Sequence, residues 1–166
     1  MNHSERVSRI AVRISQNLTL SDHDVQTIRL AGMIHDIGKI GIPDSILLHA
    51  GPLKDHQWDM IKLHSEKGVN IISPIDFPWN IKQIILEHHE RFGGGGYPKG
   101  LKGEEICLGA RILGVADSYD AMNSDRHYRK AFSRERIINE LEKNAGTQFD
   151  PVVVNVMLKL IHAKEV

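Results

Sequence analysis

The stretch His35-Asp36-Ile37-Gly38-Lys39 places an imidazole, a carboxylate and an ammonium within five residues, where an apolar helical pattern ends. Core helices have little structural reason to end on three such groups. We therefore interpret the stretch as part of a metal site that acts on phosphate. Lys39 lies one turn after Asp36 and can meet a phosphate oxygen as a point charge. If this interpretation is right, the chain must supply further metal ligands from other helices.

The bulk composition excludes several classes of protein. The 166 residues are 41% hydrophobic and 25% charged, which is typical of one globular domain. No apolar run approaches the roughly 20 residues of a membrane span. The single cysteine cannot form an intrachain disulfide and suits a reducing compartment. The net charge of zero argues against binding to a nucleic-acid polymer. We predict a cytoplasmic domain that makes no membrane contact.

Apolar residues recur at helical spacing along the chain, whereas sustained period-two alternation is absent. The first predicted helix lacks a clear N-cap before His3, so we expect the chain to begin inside a helix, as one module of a longer protein. Asp55 is expected to cap one helix that runs to about Ile72, with Trp58 on its inner face. The other predicted helices start at Ser21 or Asp22, Asp44, Asn80, Leu108, Ser133 and Asp150.

Imidazoles and carboxylates fall on or beside the apolar faces of several of these helices. Nitrogen and oxygen ligands without a thiolate suit Fe, Mn, Zn or Ni. The set exceeds the needs of one ion and suits two ions that share a bridging carboxylate, for which Asp36 is the natural choice. Taken alone, His64 and Asp117 are more simply explained as core polar residues, but one metal cluster explains the whole set. The predicted ligands are His35, Asp36, His64, His88, His89 and Asp117.

Two further segments are candidates for contact with an anionic substrate. Residues 126–130 form a dense basic cluster soon after the Asp117 helix, and arginine binds phosphate through two parallel hydrogen bonds. Four successive glycines, 93–96, precede Tyr97, and such a loop permits close approach of a ligand. Tyr97 can stack on a base, bond a phosphate, or simply anchor the loop on the core.

These motifs together resemble the HD-GYP family, a branch of the HD phosphohydrolase superfamily. The resemblance spans nearly the whole chain. The matching segments are His35 to Lys39, Gly51 to Leu53, His64, His88 to Arg91, Gly96 to Pro98, Ala110 to Asp117, Arg126 to Ala131 and Phe149 to Pro151.

The resemblance implies an all-α fold, an HD-domain helical bundle with the extra C-terminal helices of the HD-GYP type, over residues 1–166. It implies a phosphodiesterase that hydrolyses cyclic di-GMP to pGpG or GMP with a metal-bridging hydroxide. Two or three divalent ions are expected, iron first, with manganese or nickel as alternatives. The ligands carried over are those named above, joined by His3 as in some members. Asp36 and Lys39 are the expected catalytic residues, and Lys39, Tyr97, Arg126 and Arg129 the substrate contacts.

Alternative functions remain open at this point. One is the same chemistry on another cyclic dinucleotide, such as cyclic GMP–AMP. Another is a non-catalytic module that binds cyclic di-GMP or a partner, for which the GYP loop suggests a GGDEF-domain protein. Gly93 and Gly95 stand where the family usually has polar side chains, so we expect this loop to lose side-chain hydrogen bonds and gain freedom.

Overall fold

A computed structural model describes residues 2–47, 49, 51–125 and 130–166. These residues contain no β-strand, and the predicted all-α class is confirmed. Two 3-10 helices span Ile37–Gly41 and Gly103–Glu105. The α-helices are α1 (His3–Asn17), α2 (Asp22–Ile34), α3 (Asp44–Leu47), α4 (Asp55–Lys62), α5 (His64–Ile72), α6 (Ile81–Glu87), α7 (Leu108–Asn123), α8 (Arg134–Lys143) and α9 (Pro151–His162).

Local capping explains where several helices begin. The side chains of Ser21, Ser133 and Asp150 each accept a backbone N–H in the first turn of α2, α8 and α9, as predicted. The expectation that α1 lacks an N-cap was wrong. Asn2 accepts from the Glu5 backbone N–H, and Glu5 accepts from the Asn2 N–H in return, which forms a capping box.

The single helix predicted from Asp55 to about Ile72 is divided into α4 and α5 at Leu63. The break lets α5 turn so that His64 and Ser65, on its first turn, are fully buried. No residue of α4 is buried among the residues that the structure describes, and Trp58 is 49% exposed. The prediction that Trp58 faces the core was therefore wrong, because the apolar side of α4 lines a cleft instead.

Helix α7 is the centre of the bundle and packs against α1, α2, α6, α8 and α9. Its buried side includes Ile112, Leu113 and Val115, none of which retains exposed surface. Helices α1 and α2 pack closely at Gly32, where an added Cβ would lie 2.8 Å from the Cα of Ser8. The core therefore fixes α1, α2 and α7 against one another.

This packing brings the polar ends of several helices to one place. The first turn of α1, the end of α2, the start of α5 and the end of α6 converge on the middle of α7. Gly38 makes the closest approach, since a Cβ there would lie 1.9 Å from the carbonyl oxygen of His64. Among the helices in the described part of the chain, none has the length and hydropathy needed to cross a membrane.

Candidate metal centre

Two groups of three ligand side chains lie in the region where the helix ends converge. In each group the ligand atoms lie within 4.8 Å of one another. We call them the imidazole group, which is His64, His88 and His89, and the mixed group, which is His3, His35 and Asp117. The imidazole group offers three nitrogen donors and the mixed group two nitrogens and a carboxylate oxygen, and both sets could hold a divalent ion.

Asp36 lies between the two groups. Its Oδ1 is 3.8 Å from Nε2 of His64, in the imidazole group. Its Oδ2 is 3.5 Å from Nε2 of His35 and 3.8 Å from Nε2 of His3, in the mixed group. One carboxylate oxygen therefore faces each group, which is the arrangement that a bridging ligand needs.

Backbone carbonyls fix the orientation of three of the rings. Nδ1 of His35 lies 2.8 Å from the carbonyl oxygen of Gly32. The rings of His64 and His88 make the same contact with the carbonyl three residues earlier, at 2.7 Å each. Because a carbonyl oxygen only accepts, Nδ1 carries the proton in all three rings, and Nε2 is left as a lone-pair donor. This is the support that metal-bound histidines usually have.

The free Nε2 atoms fit a cation between them. Nε2 of His35 is buried and has no hydrogen-bond partner among the described residues. Nε2 of His64 lies 3.5 Å from Nε2 of His88, so two lone pairs face each other. An unpaired buried polar atom costs about 1–3 kcal/mol, and a divalent ion removes that cost. The residues present therefore suit a metal.

The two groups hold protons differently in the absence of metal. Burial, followed by the neighbouring rings of His35 and His64, lowers the pKa of His88 to about 3. Burial also lowers the pKa of His64 and of His89. In contrast, hydrogen bonds to Asp117 and Asp120 raise the pKa of His3 to about 9. The imidazole group resists protonation, whereas the mixed group shares a proton between His3 and its carboxylates.

Asp120 and Arg6 are part of this site and were missed from the sequence. Nδ1 of His3 donates to Oδ2 of Asp120 at 2.8 Å, while Nε2 of His3 lies 3.2 Å from Asp117. Arg6 donates to both oxygens of Asp120, at 2.6 and 3.0 Å. Asp120 is only 3% exposed. The sequence signal that could have found them is helical spacing. Asp120 follows Asp117 by three residues and Arg6 follows His3 by three, so each pair lies on one face of its helix.

Lys39 lies beside the bridging carboxylate. Its ammonium donates to Oδ2 of Asp36 at 2.7 Å, and its side chain is 40% exposed toward the cleft. Burial alone would raise the pKa of Asp36, but the neighbouring His35 ring and the Lys39 ammonium lower it overall. Asp36 is therefore ionised, and Lys39 is the cation next to where a phosphate would meet the ligands.

A cleft of about 800 Å³ lies over both groups. His3, Lys39, His64 and Asp117 contribute to its polar floor. Tyr97 lies on one side, with its ring stacked on His89 at a centroid distance of 4.8 Å. Burial raises the pKa of the Tyr97 phenol, so it stays protonated. The cleft has room for a ligand much larger than a phosphate ion.

The glycine-rich loop is held by its backbone. Gly93 donates its N–H to the carbonyl of Thr147 at 2.7 Å, and Phe92 donates to Gln148 at 3.1 Å. The carboxylate of Glu90 accepts the N–H groups of residues 99, 100 and 101. The loop lacks side-chain bonds at Gly93 and Gly95, as expected, but these backbone bonds restrain it. A Cβ at Gly96 would lie 2.4 Å from the N of Arg91, so the loop folds tightly on the ligand segment.

The structure thus brings together all seven predicted ligands, with His3 among them. Lys39 and Tyr97 line the same cleft. The predicted substrate contacts Arg126 and Arg129 lie outside the described residues, so their placement stays a prediction.

Comparison with known proteins identifies a family model that matches this chain and several similar proteins. A family model described as HD domain matches residues 1–153. A cyclic di-GMP phosphodiesterase of Thermotoga maritima is 43% identical over 162 residues, which are 95% of this chain and 44% of that protein. The 3'3'-cGAMP-specific phosphodiesterase 2 of Vibrio cholerae is 35% identical over 159 residues, 95% of this chain and 30% of that protein. The expected kinship with HD-GYP-type proteins is confirmed.

Solved structures show the same fold. An HDG"Y"P protein of Bdellovibrio bacteriovorus matches with a TM-score of 0.77 at 20% identity, over 96% of this chain and 51% of that one. A cyclic GMP-AMP-specific phosphodiesterase of Vibrio cholerae matches with a TM-score of 0.75 at 20% identity, over 98% and 44%. The chain spans less than half the length of the first two curated relatives.

Proposed function

The chain belongs to the HD domain family, and from this premise we propose that it is a metal-dependent phosphodiesterase that hydrolyses cyclic di-GMP to pGpG or GMP. The observation that carries the proposal is the position of Asp36. It lies between two complete ligand groups, next to Lys39, under a cleft large enough for a dinucleotide. A relative of which the chain covers 44% is named for this activity.

The imidazole and mixed groups would each hold one divalent ion, with Asp36 shared between them. Bound there, two ions would supply Lewis acidity and an activated water for displacement at phosphorus. Iron is the first expectation, from the resemblance to the HD-GYP family. Manganese and nickel are alternatives, because all three metals accept nitrogen and oxygen ligands. The carbonyl bonds of His35, His64 and His88 fix these rings with Nε2 free, so these three residues would hold the ions through Nε2.

The other side chains act on the substrate. Lys39 would neutralise a phosphate oxygen, and its contact with Asp36 holds the ammonium beside the bridging position. Tyr97 would pack against the nucleotide from the loop side, oriented by its stacking on His89. Arg126 and Arg129 would bind the phosphates, by their place in the sequence after α7.

The proposal also includes a GGDEF-domain protein as partner and the cytoplasm as compartment. The loop 93–98 would be the contact surface for a GGDEF-domain protein. Its backbone bonds support the idea, because they would present the loop in one shape. A single unpaired cysteine is consistent with action in the cytoplasm.

The decisive experiment combines metal content with turnover. The chain would be purified without oxygen, its ions counted by elemental analysis, and its hydrolysis of cyclic di-GMP followed by chromatography. We expect about two ions per chain and turnover that Asp36→Ala abolishes. The matched control is Asp76→Asn, an exposed carboxylate outside the cleft. Metal-loaded protein that binds the nucleotide without turnover would identify a binding module instead.

Cyclic GMP–AMP is a second candidate substrate. The observation in its favour is the 35% identity with a Vibrio cholerae enzyme named as 3'3'-cGAMP-specific. Competition between the two nucleotides in one reaction gives the ratio of their kcat/KM values directly. We expect cyclic di-GMP to be preferred. A ratio in favour of cyclic GMP–AMP would reassign the substrate and keep the reaction.

A further inference from the structure

Helix α4 presents an apolar side that has no place in the core. None of its residues is buried among those that the structure describes. Trp58, near its centre, keeps 49% of its surface exposed. Tryptophan has more apolar area to bury than any other side chain, and here it lies on the same helix as Met60 and Ile61, which are only partly buried. The position therefore invites a functional explanation.

Trp58 lines the same cleft as the candidate metal centre. Leu53 and Ile61, which are partly buried, join it in that wall. The cleft also contains Lys39, His64 and Asp117, so it has an apolar wall and a charged floor. Its volume of about 800 Å³ exceeds what two ions and one phosphate fill. This division suits a ligand with charged phosphates at one end and flat, apolar-faced groups at the other.

A nucleobase is the occupant with the right chemistry for this wall. When a phosphodiester reaches the floor, its attached nucleoside must extend along the cleft. Aromatic side chains bind bases by stacking, which contributes affinity for any base because each has a π face. Tyr97 is already stacked on His89, so among the described residues that line this cleft Trp58 is the other large aromatic ring, and it is half-exposed.

We propose that Trp58 is the stacking platform for one nucleobase of the cyclic dinucleotide, held while its phosphate lies over Asp36 and Lys39. The inference rests on the proposed function and adds a substrate-binding residue to it. Because stacking is tolerant of base identity, Trp58 sets affinity for cyclic dinucleotides as a class. Discrimination between guanine and adenine must then come from other groups.

The test compares Trp58→Ala, Trp58→Leu and Trp58→Phe with the unaltered, metal-loaded chain. Loss of one stacked base should raise KM for cyclic di-GMP by about 5- to 150-fold in the Ala and Leu variants. Trp58→Phe keeps a ring and should recover most of the affinity. Methyl 4-nitrophenyl phosphate, a phosphodiester without a nucleobase, should be cleaved equally by all four proteins, and their metal content should match.

A binding readout is independent of turnover. The chain has two tryptophans, so Trp79→Phe leaves Trp58 as the single reporter. The phosphorothioate analogue of cyclic di-GMP, which resists hydrolysis, should quench its fluorescence. The same analogue should leave Trp79 unquenched in the Trp58→Phe variant.

The outcomes separate the two claims. Turnover by the unaltered chain, with unchanged KM in Trp58→Ala and no quench, overturns the stacking inference and leaves the phosphodiesterase standing. Equal KM values in the Leu and Phe variants would show a merely apolar wall and also overturn stacking. Quenching without turnover would support stacking and refute the phosphodiesterase. Neither quenching nor turnover would refute both.

Discussion

The imidazole group and the mixed group lie on either side of Asp36, yet they are built in different ways. In the imidazole group, His64 and His88 are buried, and Nδ1 of each ring is held by the backbone carbonyl three residues earlier. In the mixed group, His35 is held in the same way, but His3 is 32% exposed and held by a carboxylate that belongs to another helix. The mixed group therefore depends on the packing of α1 against α7 in a way that the imidazole group does not.

This difference predicts different dependence on the rest of the protein. The imidazole group should depend less on α1, because the rings of His64 and His88 are held by carbonyls three residues earlier in the chain. The mixed group should respond to changes on α1 and α7. Asp36 belongs to both, so its removal should affect both.

Replacing Asp36 with Ala should remove both ions and lower turnover by roughly 10³-fold, because the shared ligand is lost from each group. Replacing His35 with Ala should remove about one ion per chain, since it belongs to the mixed group alone. Elemental analysis with turnover assays measures both. The division would be broken if His35→Ala emptied the site as fully as Asp36→Ala.

Replacing Gly38 with Ala should separate the two groups. Its Cβ would lie 1.9 Å from the His64 carbonyl, so the Asp36 turn must move away from α5. We expect a loss of about 3 kcal/mol in the free energy of unfolding, measured with urea, and lower metal content. Gly41→Ala in the same 3-10 helix is the control, because its Cβ would meet only the flexible side chain of Lys67. Equal behaviour of the two variants would contradict this account.

Replacing Asp120 with Asn should weaken the mixed group selectively. It removes the negative charge that orients His3, and such supports typically contribute about 10- to 100-fold in metal affinity. Competition with a chelator should show one ion released more easily while the other is unchanged. Asp76→Asn is the control. Equal weakening of both ions would mean that the groups are not independently built.

Acid should destabilise the metal-free chain through the imidazole group. His88 has a pKa of about 3 when folded, below its usual 6.5. As pH falls below 6.5, His88 is protonated in the unfolded chain but not in the folded chain. The free energy of unfolding therefore decreases. One such histidine lowers the free energy of unfolding by about 2 kcal/mol at pH 5. Urea unfolding of chelator-treated protein at several pH values measures this.

Two comparisons sharpen that pH test. His88→Gln should reduce the slope of unfolding free energy against pH, whereas His23→Gln, whose side chain is 63% exposed, should leave it unchanged. His3 should act in the opposite direction, since its folded pKa is about 9. Its contribution is fully present below pH 6.5 and is lost as pH rises through about 9. An identical slope in His88→Gln would refute this origin.

The sequence predicted the ligands better than their supports. His64 and His88 could be found because one metal cluster explains the imidazoles and carboxylates of several helices together, and because both residues lie in segments that resemble the HD-GYP family. Asp120 could not, because its role depends on how α7 packs against α1, and helical spacing alone does not determine that packing. The break at Leu63 was missed for the same reason. Apolar spacing continues across it, whereas the close approach of Gly38 to α5 is a tertiary contact that the spacing does not show.

Trp58 was not missed, but the sequence predicted the wrong environment for it. Its spacing with Ile61 is typical of residues that face the core, so the sequence predicted that Trp58 is buried. Spacing reports that a helix has an apolar side but not whether protein or ligand covers it. The residues that sequence patterns assign to a core and the structure leaves half-exposed are therefore the ones to examine as binding surfaces.

The order of the ligands along the chain has a consequence for synthesis. His3 is made first, but Asp117, its partner in the mixed group, comes 114 residues later. The imidazole group is complete once His89 has been made. All three ligands of the imidazole group are therefore synthesised before the mixed group is complete, and the mixed group also needs α7 to pack against α1. Full occupancy would then report that the whole bundle has assembled.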